Sequence, residues 1–576
     1  MKKAIERPRL MALGLPETRW VGVALCAVLV VGAGVRLQGL RWGLPGPSHY
    51  YSYHPDEGTI VGGASRINIF TGDLNPHFFN YGSLQLYLVH VACQFASGWG
   101  YLDFGPAGRG FIETVTRTHL VARLLTVLMG GLTVWAVWLL GRKVGGEEAG
   151  LWGAALMALC GGHVVNSHYA TVDVPLTLWT TLCLLACLAI LSDPSTWRYV
   201  AAGVTLGFAC ATKYGAVVLV VPLVVAYLLS GEGRRALGVW RSLGVAAGSA
   251  VGAFLGGCPY SVLAWPEFLR DVWFEAEHMR TGSGLLFAGT GNGWLYHLRE
   301  SLPLSLSWPV LLGVLVGALM VARRRPREAA VLLSFVWVYF AMLGSAEVRF
   351  SRYVLHLLPP LLTLGALGLA PTDDSRQHSP RRLLLGGLLL VSCMHTYLCD
   401  RAFSQTDPRD AAAAWIEGNV PRTETIGLVN LPWFYTPPLV PYNGGAKSRE
   451  VYEQDPSARR YPLLVTGWDA ASLSKERPPC FAVSEFEFRE ELRLCGKPLS
   501  APRVASQGAQ FRDFARFWNR LNDRCEVAGQ WGGWRAPVWL APTGYVPHDW
   551  LYPQPETRVY RLHRRAELRL DRRRGC

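Results

Sequence analysis

Up to about residue 400 the chain consists largely of long apolar runs with almost no charge, and nothing else narrows its possible folds so far. The runs cover 20–40, 119–140, 149–166, 174–191, 199–211, 214–229, 237–257, 305–322, 329–344, 353–370 and 383–399. Most are roughly 16 to 22 residues long, enough to carry a helix across about 30 Å of hydrocarbon. A bilayer offers no water to backbone N–H and C=O groups, so spans built from such runs must be helices. After residue 400 the runs shorten, and prolines and charges become frequent. The expected architecture is an α-helical polytopic membrane protein of about eleven transmembrane helices over residues 1–400. A soluble α/β domain over 401–576 would follow it.

Net charge is +14, but the arginines gather at the ends of apolar runs. That is the distribution of topology signals and argues against nucleic acid as a partner. Lys2, Lys3, Arg7, Arg9 and Arg19 place the N-terminus in the cytoplasm, and no small-residue cleavage site follows, so the first span reads as retained. The later clusters "GRKVGG", "STWRY", "GEGRRALGVWR", "ARRRPRE" and "SRQHSPRR" all fall on the same side if eleven runs cross. That count treats the segment 83–98, which carries Gln85, His90 and Gln94, as an interfacial or re-entrant helix within one long external loop, 43–118. Counted as a crossing, it would invert every later loop. The C-terminal domain then lies outside, with "YHPDEGT", the "NSHYATVDVP" loop and the loop 258–304.

Three groups of ionisable residues share that outer face. The first is His54, Asp56 and Glu57, ahead of "GTIVGGASRINIF". Locally these make a good helix N-terminus, because carboxylates there are favoured by the helix dipole. The second is Asp173, preceded by His168 and Tyr169 and followed by Pro175, where a cap is again the local alternative. The third is cationic: Arg349, Arg352 and His356 in "SAEVRFSRYVLHLLP", Lys213 inside an apolar stretch, and His278 and Arg280 in the loop 258–304. Ionisable groups at a membrane boundary are costly and point to function. Guanidinium groups suit phosphate oxygens, whereas a lysine at a helix end can also simply snorkel. The glycines of "TGSGLLFAGTGNG" follow no strand and carry no GK[ST], so no nucleotide loop is implied.

Acids, cations and aromatics on one outer face suggest a reaction on a lipid-linked phosphate. A carboxylate would deprotonate an acceptor hydroxyl while cations stabilise the departing phosphate. A single displacement of this kind inverts the anomeric carbon. Two readings from other classes compete: a secondary transporter or lipid flippase, and a non-catalytic scaffold. The chain shows no repeated halves with matching broken helices, which a transporter often has. Of the 13 cysteines none forms a metal-type CxxC pair, and Cys183 and Cys187 share one face of an apolar helix. Cys480, Cys495 and Cys525 are available for a disulfide whose pairing the spacing does not decide.

These residues resemble the polyprenyl-phosphate-dependent glycosyltransferases of the GT-C superfamily, of the protein O-mannosyltransferase and aminoarabinose-transferase type. The resemblance rests on "HPDE", "GDLNPHFFNYGSLQLYL", "RLLTVLMGGLTVWAVWLLGRKVGG", "NSHYATVDVPLTLW", "ATKYGAVVLVVP" and "RFSRYVLHLLPP", in that order. It implies a polyprenyl-phosphate sugar as donor, membrane lipids as surroundings, and a first external loop of juxtamembrane helices. It assigns the catalytic base to Asp56, with Glu57 one residue away, and the second acid to Asp173. Arg349, Arg352 and Tyr353 would contact the lipid phosphate. Divalent metal dependence varies within the group. Where the aminoarabinose branch carries "KPP", this chain reads "FNYGS", so no lysine contact is implied there.

In the C-terminal part, "DPRDAAAAWIEGNVPRTETIGLV" reads as helix, turn and strand, "YPLLVTGWD" as a second strand and "PCFAVSEFEFREEL" as a strand and helix. Strands alternating with helices favour a Rossmann-like arrangement, without a dinucleotide fingerprint. "LPWFYTPPLVPYNGG" would line a carbohydrate cleft or pack as a covering loop. The basic tail "RVYRLHRRAELRLDRRRGC" suits anionic lipid headgroups or a disordered end.

Overall fold

The computed structural model describes residues 18–103, 110–231, 236–282, 284–371, 378–442, 461–495, 508–535, 537 and 545–563. A helix, straight or broken, lies over each apolar run. Among the described residues six helices are long and apolar enough to cross a membrane: Arg19–Leu37, Phe111–Gly145, Asp173–Ser192, Pro326–Ser345, Ser351–Leu369 and Pro380–Asn419. Two bent pairs raise the number to eight. The chain is thus a multi-pass membrane protein, but by this measure it falls short of the eleven crossings expected.

The shortfall has local causes. The run 149–166 breaks into Glu147–Ala158 and Gly161–Ser167, bent by 57°. At the break the backbone presses on its neighbours: a Cβ on Gly162 would lie 2.5 Å from Ser305 Oγ. The run 305–322 begins as Trp308–Arg324 after a 105° bend, at Ser307, which takes φ +72°. Tyr214–Leu229 starts as a 3-10 turn and is shorter than a full crossing. At the other extreme, Phe111–Gly145 has 35 residues, about 52 Å at 1.5 Å per residue. It therefore outreaches the hydrocarbon and carries its first turns into the external loop.

In that loop, Pro55–Arg66 and Leu84–Gly98 pack on each other and on Phe111–Gly145. Ile60, Val61 and Ala64 meet Leu86, Val89 and Cys93 in their shared core. Leu84–Gly98 has 15 residues, too few to span, and turns Val91, Phe95 and Trp99 outward at helical spacing. The membrane helices bury a large apolar cluster that includes Trp138, Leu184, Phe335 and Leu362.

The C-terminal region carries a five-stranded sheet in the order β2-β1-β3-β5-β4. Here β1 is Ile426–Leu428, β2 Leu463–Val465, β3 Cys480–Ser484, β4 Cys525–Trp531 and β5 Thr557–Leu562. β1 pairs in parallel with β2 and β3, whereas β5 runs antiparallel to β3 and β4. Three parallel strands agree with alternation of strands and helices. The antiparallel β4–β5 pair departs from a Rossmann-like sheet. Cys480, Cys495 and Cys525 are all free thiols. Most of the basic tail lies outside the described residues.

The sheet region is clamped to the first external loop. Arg409 donates to Asp407 Oδ2 at 2.7 Å and lies 3.8 Å over the Tyr53 ring, while Trp42 Nε1 donates to the same Asp407 oxygen at 3.0 Å. Phe434 from "LPWFYTPPLVPYNGG" packs in the same cluster with Trp42, Tyr53 and Tyr552. The Tyr50 N–H donates to Pro441 O at 2.6 Å. The described part of that stretch is therefore a packed covering loop.

Candidate active site

Asp56 and Glu57 both occupy the first turn of Pro55–Arg66, whose N-cap residue, His54, makes no side-chain cap bond. Neither carboxylate is used on the helix end; one residue of register sends them to different partners. Glu57 points inward and is fully buried. Arg123 grips it in bidentate fashion, Nε to Oε1 at 2.8 Å and Nη2 to Oε2 at 2.7 Å. The Ala170 N–H donates to Oε1 at 2.7 Å, and the Ser52 hydroxyl donates to Oε2. Arg123 spends its Nη1 on the carbonyls of Leu40 and Trp42. Burial alone pushes the Glu57 carboxyl up, but Arg123 outweighs it and holds the pKa at about 2. Glu57 thus ties together the first span, the first loop and the 168–172 turn, with no face left open.

Asp56 points the other way, and its side chain is 29% exposed. Arg352 Nη2 donates to Asp56 Oδ2 at 2.8 Å, and Arg352 Nε lies 3.4 Å from Asp173 Oδ2. Lys213 Nζ donates to the other oxygen of Asp173 at 3.1 Å. His356 Nε2 stands 4.0 Å from the same oxygen, with its Nδ1 3.0 Å from Thr177 Oγ1. One guanidinium therefore bridges two carboxylates from separate elements. Asp173 is buried, and two cations balance its charge, as a carboxylate removed from water requires. The His54 ring packs tilted against Tyr169 and edge-on against Tyr552, and burial lowers its pKa to about 4, so the imidazole is neutral.

Lys213 is the junction between these charges and a cavity of about 390 Å³. The cavity is lined by Tyr81, Tyr339, Tyr353, Leu176 and Met279, together with Arg280 and Glu275. Lys213 Nζ sits 4.2 Å from the Tyr353 ring centroid and 5.7 Å from that of Tyr81. Tyr81 belongs to "FNYGS", and Gly82 explains how that stretch comes so close. A Cβ there would lie 1.9 Å from the carbonyl oxygen of Ala211, two residues before Lys213. Gly82→Ala is expected to force the loop off the Thr196–Thr212 helix end. Its check is a crystallographic or cross-linking measure of the Tyr81–Lys213 distance, which should lengthen.

The other residues singled out from sequence lie elsewhere. Arg349 donates through Nη1 to Thr290 Oγ1 at 2.8 Å and to Gly291 O at 2.6 Å, so its guanidinium braces the glycine-rich loop. His168 stacks on Phe403 at 4.1 Å and its Nε2 lies 2.7 Å from Gln38 O. His278 stacks on Phe274 along Trp265–Thr281, a helix with no buried residue. Among the described residues no three His, Cys, Asp or Glu side chains group as metal ligands. Asp56 and Asp173 engage Arg352 and Lys213 instead.

Three residues at the site went unnoticed in the sequence. Arg123 is the counter-ion of Glu57, and its signal was there: a lone charge inside an apolar run. Asp549 and Tyr552 come from the C-terminal region and meet the Arg352 backbone and guanidinium. Nothing local in "VPHDWLYPQPE" marks them.

Comparison with known proteins agrees with this architecture. Residues 109–255 match the family model described as dolichyl-phosphate-mannose-protein mannosyltransferase. The chain is 27% identical over 337 residues to an undecaprenyl phosphate-alpha-4-amino-4-deoxy-L-arabinose arabinosyl transferase of Sodalis glossinidius. That alignment covers 56% of this chain and 56% of the relative's length. The crystal structure of ArnT from Cupriavidus metallidurans bound to undecaprenyl phosphate superposes with a TM-score of 0.50 at 16% identity. It covers 94% of this chain and 98% of that one. Fold, family segment and motif order point the same way: the chain is a multi-pass membrane protein with the GT-C fold of the polyprenyl-phosphate-dependent glycosyltransferases.

Proposed function

We propose that the chain is an inverting glycosyltransferase that moves a sugar from a polyprenyl-phosphate carrier to an acceptor hydroxyl on the outer face of the cytoplasmic membrane. The observation that carries this reading is the Arg352 bridge between Asp56 and Asp173, with Lys213 joining it to a largely apolar cavity. The N-terminus lies in the cytoplasm, and residues 401–576 form an extracytoplasmic domain over the first loop and the membrane helices, 1–400. The relatives named above act on or bind polyprenyl phosphates, which suits a cavity that combines Lys213 and Arg280 with a mostly apolar lining.

In the reaction, Asp56 takes the proton of the acceptor hydroxyl. Its Oδ2 holds the Arg352 bond, and among the described residues no group donates to Oδ1. The acceptor oxygen forms a bond to the anomeric carbon as the carbon–oxygen bond to phosphate breaks. The lipid phosphate leaves with the electron pair. Lys213 and Arg352 lie where that charge develops, and Asp173 holds both cations in place.

Purified protein given synthetic polyprenyl-phosphate sugars and envelope acceptors tests the reading. Labelled sugar should pass to the acceptor and leave free polyprenyl phosphate. Counterflow of intact donor between the two faces of a vesicle, without transfer, would establish a transporter instead. Lys213→Ala removes one charged hydrogen-bond donor, worth about 1.5–3 kcal/mol. The donor KM should therefore rise about ten- to hundred-fold, read by steady-state kinetics with a polyprenyl-phosphate sugar.

A further inference from the structure

Arg352 is held from behind by the C-terminal region. Asp549 is buried, and both of its oxygens accept backbone N–H groups: Oδ1 from Ser351 at 3.1 Å and Oδ2 from Arg352 at 2.8 Å. These are the first two N–H groups of the 3-10 helix Ser351–Leu357, which lack partners within it. Three residues on, the Tyr552 hydroxyl faces the Arg352 guanidinium, and its ring lies 4.6 Å from that of His54. The segment does not depend on Arg352 for its own place. Arg489 Nη1 donates to Val546 O at 2.7 Å, and Arg409 Nη2 donates to Tyr552 O at 2.7 Å. Arg352 is thus fixed through its backbone by Asp549 and through its head by Asp56 and Asp173, with the Tyr552 hydroxyl beside it. Its Nη1 is buried and, among the described residues, has no hydrogen-bond partner.

We propose that Asp549 and Tyr552 are positioning residues of the active site. The C-terminal region sets the Arg352 guanidinium between the two acids, and transfer requires that region seated on the membrane helices. This rests on the reading above, in which Arg352 stabilises the departing phosphate. A carboxylate on two backbone donors is a strong, directional tie. A displacement of about 1 Å at such a group costs on the order of a hundredfold in rate.

The test uses the full-length purified protein with a polyprenyl-phosphate sugar. It measures kcat, donor KM and melting temperature for Tyr552→Phe, Asp549→Asn, Asp549→Ala and Arg352→Lys. Tyr552→Phe keeps the ring packing and should leave melting temperature and donor KM near wild type while lowering kcat about tenfold. Asp549→Ala should lower kcat about a hundredfold. Asp549→Asn should fall between, because its amide oxygen still accepts one N–H. Where Asp549→Ala also unfolds, Tyr552→Phe decides. Wild-type kcat in folded Tyr552→Phe and Asp549→Asn, with transfer lost in Arg352→Lys, would overturn the positioning role alone. Full transfer by Arg352→Lys would overturn the role of Arg352 and this inference with it.

Discussion

Asp56→Asn is expected to lower the rate of sugar transfer by about 10²–10⁴-fold, the range a positioned general base contributes. The substitution is close to isosteric. Its amide oxygen can still accept from Arg352 Nη2, which donates to Asp56 Oδ2 at 2.8 Å in the wild-type protein. The donor's anchors at Lys213 and along the cavity are untouched. The loss should therefore fall on kcat, with donor KM within about threefold of wild type, because the missing function is proton removal and not binding. Steady-state kinetics with a polyprenyl-phosphate sugar at saturating acceptor measures this. A KM effect with unchanged kcat would assign Asp56 to binding.

Glu57→Gln is expected to act on stability. It leaves Arg123 buried without a counter-ion, a loss of about 3–5 kcal/mol for a broken buried pair. Both side chains are fully buried, so solvent screening does not soften the effect. The double variant Glu57→Gln, Arg123→Met removes the stranded charge and should regain part of the melting temperature in detergent. The pH dependence has a definite sign. The folded pKa of Glu57, about 2, is depressed below its unfolded value. The stabilisation is thus fully present above the ordinary carboxylate range, near 4.3, and disappears as pH falls through about 2. Between pH 5 and 8 the difference in melting temperature between wild type and Glu57→Gln should stay constant. If Glu57→Gln melts like wild type, the pair is not what holds the first loop to the membrane helices.

These two results separate adjacent residues that sequence alone left as rivals. The spans were legible because apolar length is a local property. The bend at Cys160 was not, since it answers to Ser305, 145 residues along the chain. Asp56, Asp173, Arg352 and Lys213 emerged because charge bias placed their loops on one face, and the fold brings them within hydrogen-bonding reach. Asp56 and Glu57 could not be told apart because the deciding partner, Arg123, sits 66 residues away. A lone arginine inside an apolar run was the available signal. Arg36 shows the same pattern: it is buried and donates to the carbonyls of Gly32 and Ala158. The C-terminal region was half legible. β1, β2 and β3 lie in β-rich segments, whereas Asp549 acts through backbone contacts almost 200 residues away.

The central claim is a single displacement at the anomeric carbon, with Asp56 taking the acceptor's proton and no sugar bound covalently to the protein. The anomeric configuration of the product, read by NMR after transfer from a polyprenyl-phosphate sugar of defined anomer, tests it most directly. The account predicts the inverted anomer from wild type. A product with the donor's configuration, or a sugar trapped on Asp56 or Asp173, would contradict it.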